Sequence, residues 1–571
     1  MCGIFFILGR NKFSSQRTAE FIEASNKIID RGPDNTTISY DDKSFMCFQR
    51  LKVNDLTDAG NQPMFHDEVF LLCNGEIYNS EKLKNDNYNS FECKSHSDCE
   101  VVLMLYLKLK EWYNMKEAIM MLPQLLDGEF AFVIYDKKEG WVHICRDPYG
   151  VRPLFWYHSD EELGVCSELK GIHTLNAQLV KQFPSGHICS INNKDQIIMQ
   201  QYHKHEITYD SGTIENVALS TIRQNFVNAV KKRLMSDRPI CSLLSGGLDS
   251  SLVSAILARE IAPKKLTTFS IGIQGSTDLI YAKKVADYIG SVHHSVELTE
   301  EDFCEAIEET IRIIESYDIT TVRASVGNYL ISKYISEKTD FKVVYNGDYS
   351  DEVCGGYMYF KKAPDGDEFH KECCRLVKDI CFFDSLRSDR TISSQGLEAR
   401  VPFSDKAFVT HYMGIDPKLR MSNDKIEKYM LRKAFDGIDL LPHEVLFRSK
   451  VAFSDGVSST YRSWHEVIRD YIDMRITDVE FMREKEKYTF NKPETKEAYY
   501  YRTLFEKHYP HTEHVIPYMW LPKWCGDVKD PSARELEFYE EDNKPMPVKL
   551  GPIGVNVGSY RYSPYYIEYA S

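Results

Sequence analysis

Several features that would place a protein in a specialised class are missing from this sequence. It contains no run of about 18 apolar residues, so no membrane-spanning helix is predicted. Its 15 cysteines include no Cys-x-x-Cys pair, which argues against a zinc ribbon or a disulfide scaffold and fits a reducing cytosol. Its net charge of −15 lacks the basic excess of a nucleic-acid-binding protein. These absences predict a cytoplasmic protein that binds neither membrane nor nucleic acid.

What is present is a long chain of ordinary globular composition. With 571 residues, 43% of them hydrophobic and 27% charged, the chain exceeds what one hydrophobic core usually serves. No low-complexity tract or convincing repeat interrupts it. A polar stretch from Gln201 to Glu215 predicts a linker. We therefore expect a first domain over residues 2–205, a second over residues 206–540, and a tail of unknown role over residues 541–571.

The most informative stretch is residues 243–251, Leu-Leu-Ser-Gly-Gly-Leu-Asp-Ser-Ser. The apolar run before it predicts a buried parallel strand, and the run after it predicts a helix. Glycines let the backbone approach an anion, and a helix start offers free N–H groups and the positive end of its dipole. The Gly-Lys-Ser/Thr ending of a Walker loop is absent. The stretch resembles instead the pyrophosphate loop of the ATP-pyrophosphatases, in which Asp249 could hold a divalent cation.

The beginning of the chain, Met1-Cys2-Gly3-Ile4, is too short and lacks the basic front of a signal peptide. Removal of Met1 would leave the Cys2 thiol beside its own α-amine. Because a free α-amine has a pKa of roughly 7.7–8.0, one residue could then supply both nucleophile and general base. Taken alone, Cys2 is more simply an ordinary cysteine. Four later motifs change that interpretation.

These motifs are residues 31–34 (Arg-Gly-Pro-Asp), 50–53 (Arg-Leu-Lys-Val), 74–79 (Asn-Gly-Glu-Ile-Tyr-Asn) and 97–100 (Ser-Asp-Cys-Glu). With Met-Cys-Gly-Ile in front, they resemble the class II glutamine amidotransferase domain, an N-terminal-nucleophile (Ntn) hydrolase fold. The resemblance implies that Cys2 attacks the glutamine amide. It also implies that the Asn74 side chain and the Gly75 N–H form the oxyanion hole.

The same resemblance assigns the glutamine-binding residues, which are Arg50, Leu51, Val53, Asn74, Gly75, Glu76 and Asp98. Within this set, Arg50 would bind the α-carboxylate through a forked pair of hydrogen bonds. Asp98, together with Glu76, would receive the α-ammonium, while Leu51 and Val53 would offer main-chain contacts.

The second half alternates strands and helices. Residues 266–273, 292–298 and 341–345 predict strands, and residues 278–289 predict a helix with Asp278 as its cap. This alternation is typical of a doubly wound parallel sheet, whose ligands bind at the carboxyl ends of the strands. The loops that begin at Ser245, Ile271 and Asn346 should therefore lie on one rim.

Further motifs narrow the resemblance. They are residues 232–235, 269–272, 315–325, 350–353, 398–403, 448–450 and 453–456. With the pyrophosphate loop they resemble the glutamine-hydrolysing asparagine synthetases, and residues 520–524 and 530–534 resemble the eukaryotic branch. The implied fold combines α/β and α+β classes: an N-terminal αββα Ntn-hydrolase sandwich, then a doubly wound parallel-sheet ATP-pyrophosphatase domain with extra helices.

The resemblance implies a two-site reaction. The β-carboxylate of aspartate attacks the α-phosphorus of ATP, giving β-aspartyl-AMP and pyrophosphate, and ammonia released at Cys2 passes through an interdomain tunnel to aminate the adenylate. Mg²⁺ on Asp249 and Asp351 would neutralise the leaving group. Lys450 would stabilise the pentavalent phosphorus, and Asp348 is the further catalytic residue. The predicted partners are aspartate, glutamine and ATP, with a homodimer left open.

The remaining assignments concern the substrates of the second site. The predicted ATP-binding residues are Leu244, Ser245, Gly246, Gly247, Asp249, Ser250, Ile271, Asn346 and Gly347. The candidates for binding aspartate are Arg323, Asp384 and Arg387. For these last three, buried structural ion pairs are an equally open interpretation, since such networks also occur without function.

One motif departs from the family. Residues 346–352 read Asn-Gly-Asp-Tyr-Ser-Asp-Glu, where the family usually has Ser-Gly-Glu-Gly-Ser-Asp-Glu. Asp348 shortens the acidic side chain by one methylene. Tyr349 replaces a glycine, which is expected either to block backbone approach or to require a negative φ. The departure leads to the hypothesis of a weakened or retuned synthetase step.

Three functions remain open from the sequence. The first is the glutamine-dependent asparagine synthetase. The second is a related adenylate-forming amidase or cyclase on the same two domains, such as a β-lactam synthetase, although those enzymes typically lack the N-terminal cysteine present here. The third is a catalytically weakened or purely binding member of the family, which only Asp348 and Tyr349 suggest.

Overall fold

The computed structural model describes residues 1–85, 93–194, 196–422, 426–451, 456–459 and 462–532. Residues 453–455 of one family motif, part of the motif at 530–534 and the predicted tail at 541–571 lie outside these ranges. Within the described ranges, no helix is both long enough and apolar enough to cross a membrane.

The first half of the chain is a sandwich of two antiparallel sheets. Its strands are β1 (Gly3–Gly9), β2 (Asn35–Tyr40), β3 (Ser44–Arg50), β4 (Met64–His66), β5 (Val69–Ile77), β6 (Gly128–Asp136), β7 (Trp141–Arg146), β8 (Phe155–His158), β9 (Glu162–Cys166), β10 (Lys181–Gln182), β11 (His187–Asn192) and β12 (Ile197–Gln201). One sheet has the order β10-β8-β9-β1-β3-β2, and the other β12-β11-β7-β6-β5-β4. Side chains such as Ile4, Phe6 and Val133 fill the space between them.

Helices cover the outer faces of this sandwich. They are α1 (Ser15–Asn26), α2 (Ser80–Asn85), α3 (Glu100–Trp112), α4 (Met115–Leu125) and α5 (His173–Asn176). Phe21 of α1 packs on the first sheet, and Leu105 of α3 packs on the second. Because each sheet is apolar on both faces, each needs a second layer, and the predicted αββα order is confirmed.

The second half contains a parallel sheet whose strands are β13 (Ile240–Leu243), β14 (Thr267–Ile273), β15 (Val292–Leu298), β16 (Val343–Tyr345) and β17 (Glu398–Arg400). Their order is β15-β14-β13-β16-β17, and every neighbouring pair is parallel. The chain moves outward in one direction from β13 to β15 and then returns to the other side with β16. The switch point therefore lies between β13 and β16, where such sheets bind ligands.

Helices pack on both faces of the parallel sheet. They are α6 (Glu215–Lys232), α7 (Leu248–Glu260), α8 (Thr277–Ile289), α9 (Glu300–Ile314), α10 (Ile319–Lys338), α11 (Ser350–Cys354), α12 (Gly366–Asp379), α13 (Thr391–Ser393), α14 (Lys406–Met413), α15 (Pro417–Arg420), α16 (Tyr429–Ala434), α17 (His443–Leu446), α18 (Trp464–Asp473), α19 (Asp478–Glu484) and α20 (Lys496–His508). Leu252 of α7 and Ile307 of α9 belong to cores on opposite faces. The predicted doubly wound sheet with extra helices is confirmed.

One local prediction is wrong. Asp278 does not cap α8, because Ser276 occupies the cap position and its Oγ accepts the N–H of Leu279 at 3.4 Å. Asp278 is instead buried inside the first turn, 3.1 Å from Arg448 Nη2. The Asp278 carboxylate forms an ion pair with an arginine that is distant in sequence, and it does not cap its own helix.

The two halves meet along a buried, charged boundary that we call the ionic seam. Three of its ion pairs are Arg31–Asp389 at 2.8 Å, Arg233–Glu129 at 2.8 Å and Arg400–Glu76 at 3.3 Å. All six side chains are at most 4% exposed. Since a buried charge without a partner is costly, each half supplies the counter-charges that the other requires.

Candidate active sites

The first candidate site lies at the start of β1, around Cys2. The Cys2 N–H donates to Asn74 Oδ1 at 3.0 Å, and the thiol lies 3.7 Å from the carbonyl oxygen of Leu51. Burial raises the pKa of the Cys2 thiol to about 11, so the thiol needs a nearby base to ionise. The chain therefore brings the predicted nucleophile and one predicted oxyanion donor into direct contact.

The orientation of Asn74 is set by this contact. Because Oδ1 accepts from Cys2, the amide nitrogen Nδ2 is turned away from it, and Nδ2 is buried with no hydrogen-bond partner among the described residues. A buried N–H without a partner costs free energy unless a ligand satisfies it. Gly75 follows, where an added Cβ would lie 2.2 Å from Glu129 O and 2.6 Å from the Phe130 Cα. The close approach of β6 thus requires glycine beside the candidate donor.

Arg50 stands at the end of β3 and is encircled by the following loop. Its Nη1 donates to Thr57 O at 2.6 Å and to Asn61 Oδ1 at 2.7 Å, and its Nη2 donates to Asp55 O. An added Cβ at Gly60 would lie 2.2 Å from Nη2. The loop therefore fixes the predicted carboxylate-binding guanidinium. The main-chain carbonyl of Val53, also assigned to glutamine, accepts the N–H of Asp237 at 2.9 Å from the second half.

Glu76 and Asp98 lie together, as their shared assignment to an ammonium group requires. The side-chain amide of Asn54 donates to Glu76 Oε2 and lies 3.3 Å from Asp98 Oδ1. Asp98 Oδ2 accepts the N–H of Ile77 at 2.6 Å. Burial raises the pKa of both carboxyl groups, while Arg400 works in the opposite direction on each. The sequence reasoning found the two acids but neither Asn54 nor Arg400.

Met1 occupies the space next to this site. It is 1% exposed, and its amino group donates to Leu397 O at 3.1 Å in the second half. Arg31 holds the adjoining backbone, with its Nε 2.8 Å from Cys2 O. The ion pairs of Arg31 with Glu168 and Asp389 give it a structural role at the ionic seam.

The second candidate site begins at the carboxyl end of β13, where residues 244–250 lead into α7. Gly246 has a φ of 75°, and an added Cβ would lie 2.4 Å from Ala282 N, so the fold itself requires glycine there. At Gly247 a Cβ would approach, among the described residues, only Ser245 Oγ, at 3.4 Å. The packing of the chain does not require glycine at Gly247, which leaves close approach of a ligand as the physical reason for it.

The loop after β16 contacts the start of α7. An added Cβ at Gly347 would lie 2.6 Å from Ser250 N, and the side chains of Ser245 and Ser250 are 3.0 Å apart. A large cavity opens over this junction, and its lining includes every predicted ATP-binding residue except Gly246: Leu244, Ser245, Gly247, Asp249, Ser250, Ile271, Asn346 and Gly347. The structure therefore brings three separate strand ends to one cavity.

Lys428 lies at the centre of the charges in this cavity. Its Nζ is 2.7 Å from Asp249 Oδ2 and 2.6 Å from Asp351 Oδ1, the two predicted metal ligands. Lys450 Nζ lies 2.5 Å from Asp351 Oδ2. Despite burial, Lys428 and Lys450 hold the pKa of Asp351 below its ordinary range. Lys428 was not predicted from the sequence. The carboxylates of Asp249 and Asp351 are therefore neutralised by two lysines, and not by the predicted Lys450 alone.

The residues assigned to catalysis and aspartate form a second charged group in the cavity. The Arg387 guanidinium donates to Asp348 Oδ1 and lies 3.4 Å from Asp384 Oδ1. Asp348 Oδ2 is buried without a hydrogen-bond partner among the described residues. The Tyr357 hydroxyl lies 2.5 Å from Glu352 Oε1 and 3.0 Å from Asp384 Oδ2, and burial with the nearby Asp384 raises the pKa of Glu352. Glu352 and Tyr357 are further cavity residues without a predicted role.

Arg323 lines the cavity but does not join this group. Two carboxylates bind its guanidinium. The Glu497 oxygens lie 2.8 Å from Nε and 2.7 Å from Nη2, and the Asp530 oxygens lie 2.9 Å from Nη1 and 2.7 Å from Nη2. Four charge-assisted hydrogen bonds engage most of the guanidinium donors. The geometry favours the structural interpretation of Arg323 over a role in gripping an amino acid.

Of the two expectations for Tyr349, the negative φ is wrong. Tyr349 has a φ of 76°, the left-handed conformation that a glycine adopts readily, and not the negative φ expected for a bulky residue. Its ring is 3% exposed and its hydroxyl is hydrogen-bonded to Ser385 Oγ. Non-glycine residues pay roughly 1–2 kcal/mol for this conformation, and burial of the ring offsets that cost.

Both halves of the chain match known protein families. A family model described as Asparagine synthase matches residues 221–367 and 361–525, and one described as Glutamine amidotransferase domain matches residues 1–182. The chain is 41% identical over 575 residues to a Gallus gallus protein named glutamine-hydrolyzing asparagine synthetase, covering 95% of this chain and 99% of that protein. The Homo sapiens protein of the same name is 40% identical over 572 residues, covering 95% and 99%. These matches span both candidate sites.

Proposed function

This chain belongs to the glutamine-hydrolysing asparagine synthetases, and from that premise we propose how its residues divide the reaction between the two sites. It is an ATP-dependent ligase that hydrolyses glutamine, activates aspartate as an adenylate and aminates it to asparagine. The contact between Cys2 and Asn74 at one site, and the cavity over the pyrophosphate loop at the other, support this division.

At the first site, loss of Met1 gives Cys2 a free α-amine, which accepts the thiol proton. The thiolate attacks the glutamine amide, and Asn74 Nδ2 with the Gly75 N–H receives the developing oxyanion. Arg50 binds the α-carboxylate, while Glu76 and Asp98 bind the α-ammonium. Ammonia leaves, and water then releases glutamate from the thioester.

The ammonia passes between the halves to the second site. We place its route along the ionic seam, because Arg31, whose Nε lies 2.8 Å from Cys2 O, pairs there with Asp389 of the second half. Enclosure prevents protonation in water, which would remove the lone pair that attacks the adenylate.

At the second site, the pyrophosphate loop and the start of α7 hold the phosphates of ATP, while Leu244 and Ile271 flank the adenosine. Lys450 stabilises negative charge on the phosphorus as the aspartate β-carboxylate attacks it. Lys428 joins Lys450 in this role, since its ammonium lies between the two acids nearest the loop.

Asp249 and Asp351 fit a magnesium ion in donor chemistry, because Mg²⁺ is commonly held by one or two carboxylates together with phosphates. Both carboxylates already converge on the Lys428 ammonium, which marks a point where positive charge is stabilised. Bound with ATP, the ion would neutralise the leaving pyrophosphate.

Asp384 and Arg387 bind the amino acid, with opposite charges matched to its α-ammonium and α-carboxylate. Asp348 and Arg387 are paired before substrate binds, so an incoming carboxylate competes with Asp348 for the guanidinium. This pairing supports the third function left open by the sequence, a family member whose synthetase step is weakened or retuned by Asp348 and Tyr349.

The boundaries that accompany this proposal are residues 2–205 for the glutaminase domain and 206–540 for the synthetase domain. We assign the protein to the cytoplasm, in keeping with its free thiols, and we keep the homodimer as a prediction for measurement by sedimentation.

The observation that carries the proposal is the Cys2–Asn74 contact in the same chain as the pyrophosphate cavity. Its test supplies amide-labelled [¹⁵N]glutamine, aspartate and Mg·ATP, and follows asparagine, AMP and pyrophosphate. Labelled asparagine formed with one AMP per molecule is expected. Release of AMP without asparagine would favour another adenylate-forming amidase or cyclase, and absence of turnover despite nucleotide binding would favour a weakened member.

A further inference from the structure

Arg400 belongs to the second half of the chain, but its guanidinium reaches a residue of the glutamine site. It ends β17 and is completely buried. Its Nη2 lies 3.3 Å from Glu76 Oε2, across the ionic seam. The proposed function assigns Glu76 to the α-ammonium of glutamine, so a residue outside the glutaminase domain contacts the group that recognises its substrate.

The second half fixes this guanidinium in place. Nη2 also lies 2.6 Å from Glu398 Oε1 and donates to Met235 O at 3.0 Å, and Nη1 donates to Arg233 O at 3.3 Å. The main chain of Arg400 is held as well, since its carbonyl oxygen accepts the N–H of Asn346 at 3.1 Å. A planar fork held at several points has one orientation, unlike a flexible lysine.

Glu76 depends on a nearby cation. Glu76 is 3% exposed, and burial together with the Glu398 and Asp98 charges keeps its pKa well above the ordinary range, although the Arg400 charge acts in the opposite direction. A protonated Glu76 would present no negative charge to an ammonium group. The uncharged amide of Asn54 donates to the same oxygen, so it orients the carboxylate without balancing its charge.

We propose that Arg400 is a positioning residue of the glutamine site, which orients the Glu76 carboxyl group towards the α-ammonium of glutamine and adds a positive charge that favours its ionised form. The inference rests on the proposed function, because it takes the role of Glu76 from there. The glutamine site is then completed by the synthetase half, and a glutaminase domain alone would recognise glutamine poorly.

The test compares Arg400→Met and Arg400→Lys with the wild-type chain in glutamine hydrolysis. Loss of the cation should raise KM for glutamine about 10-fold or more, with a smaller change in kcat, because removing one partner of a buried charge pair leaves the other uncompensated. The acidic limb of kcat/KM should move to higher pH, since Glu76 then binds its proton more tightly. Arg400→Lys should restore part of both effects.

Arg233→Met is the matched control. Arg233 is equally buried in the ionic seam and pairs with Glu129 at 2.8 Å, and its guanidinium lies over the same Tyr78 ring that Arg400 approaches. The control should weaken the seam without moving KM for glutamine or the acidic limb. Ammonium-dependent asparagine synthesis, measured for every variant, reports that the second half remains folded.

A double-mutant cycle decides whether Arg400 acts through Glu76. In a Glu76→Gln chain, which should itself bind glutamine weakly, Arg400→Met should add little to KM. Full additivity, or an effect of Arg400→Met no larger than that of Arg233→Met, would overturn the inference. If Arg400→Met does not fold, the same comparison is made with Arg400→Lys. Should Glu76→Gln leave KM unchanged, the proposed role of Glu76 fails first, which is a distinct result.

Discussion

The two sites of this chain use different means of stabilising charge. At the Cys2 site, most of the contacts are made by amides and main-chain carbonyls, and Asn74 Nδ2 has no hydrogen-bond partner among the described residues. At the ATP cavity, Lys428 and Lys450 face Asp249 and Asp351. The first site is a preformed set of hydrogen-bonding groups, and the second site is a set of opposite charges that neutralise one another.

The difference follows from the chemistry. Acyl transfer from glutamine develops one negative charge at one oxygen, for which two fixed N–H donors suffice. Transfer of an adenylyl group brings a polyphosphate with several charges, and the protein must keep its own lysines neutralised until the substrate arrives. We expect substitutions of Cys2 and Asn74 at the first site to act on one step only, and substitutions at the second site to disturb a network.

The largest effect should come from Cys2→Ala. Without the thiol, glutamine hydrolysis and glutamine-dependent synthesis should fall by more than about 10³-fold, because no other group forms the thioester. Ammonium should still support synthesis at close to the wild-type rate. Both rates are measured as asparagine formed, and a variant that loses ammonium-dependent synthesis too would break the separation between the two sites.

Asn74→Ala should have the next largest effect. Loss of one oxyanion donor costs about 10²–10³ in kcat, so glutamine hydrolysis should fall by that factor with a small change in KM. The measurement is the rate of glutamate release at saturating glutamine. A change confined to KM would show that Asn74 binds the substrate and does not stabilise the oxyanion.

Lys428→Met tests the balanced charges of the second site. The substitution leaves Asp249 facing Asp351 with one cation fewer, so pyrophosphate release should fall about 10²-fold, roughly 2.7 kcal/mol in the barrier. Glutamine hydrolysis should be unchanged. Lys433→Met is the matched control, because Lys433 lies in the helix that follows Lys428 and is exposed and paired with Asp436. Equal rates for the two variants would remove Lys428 from the mechanism.

The smallest effect is expected from Asp348→Glu/Tyr349→Gly, which restores the usual family motif. Pyrophosphate release should rise by less than about 10-fold, since strain is relieved at φ 76° while the buried ring is lost. Tyr349→Phe keeps the ring and removes only the hydrogen bond to Ser385, which separates the two contributions. An unchanged rate for the double variant would dismiss a retuned synthetase step.

Much of the fold could be predicted because its signals are local. The strand at Val292–Leu298 has the predicted bounds, and the predicted linker ends where α6 begins at Glu215. The periodicity of apolar residues indicates which side chains are buried, and that pattern distinguishes a strand from a helix. Cap positions are less certain from sequence, since Ser276 and Asp278 are both good cap residues and only the distant Arg448 explains which one turns inward.

The sites were predicted less completely, because their missing members are joined only in three dimensions. Lys428 precedes a short helix with no recognisable signal, and its carboxylate partners are far away in sequence. Tyr349 adopts a backbone conformation that its own side chain disfavours, and only its surroundings stabilise it. Arg400 stood within a recognised motif, but nothing in the motif indicates a contact with Glu76.

The ionic seam has a consequence for how this chain can be divided or recombined. Expressed apart, each half would expose buried charges that had lost an ion-pair partner, Glu76 and Glu129 in the glutaminase half and Arg233 and Arg400 in the synthetase half. Neither half is therefore a portable module for gene fusion. Replacing one half with that of a relative should give a stable protein only when both members of every ion pair in the ionic seam are kept. The two activities are therefore expected to be inherited as one unit.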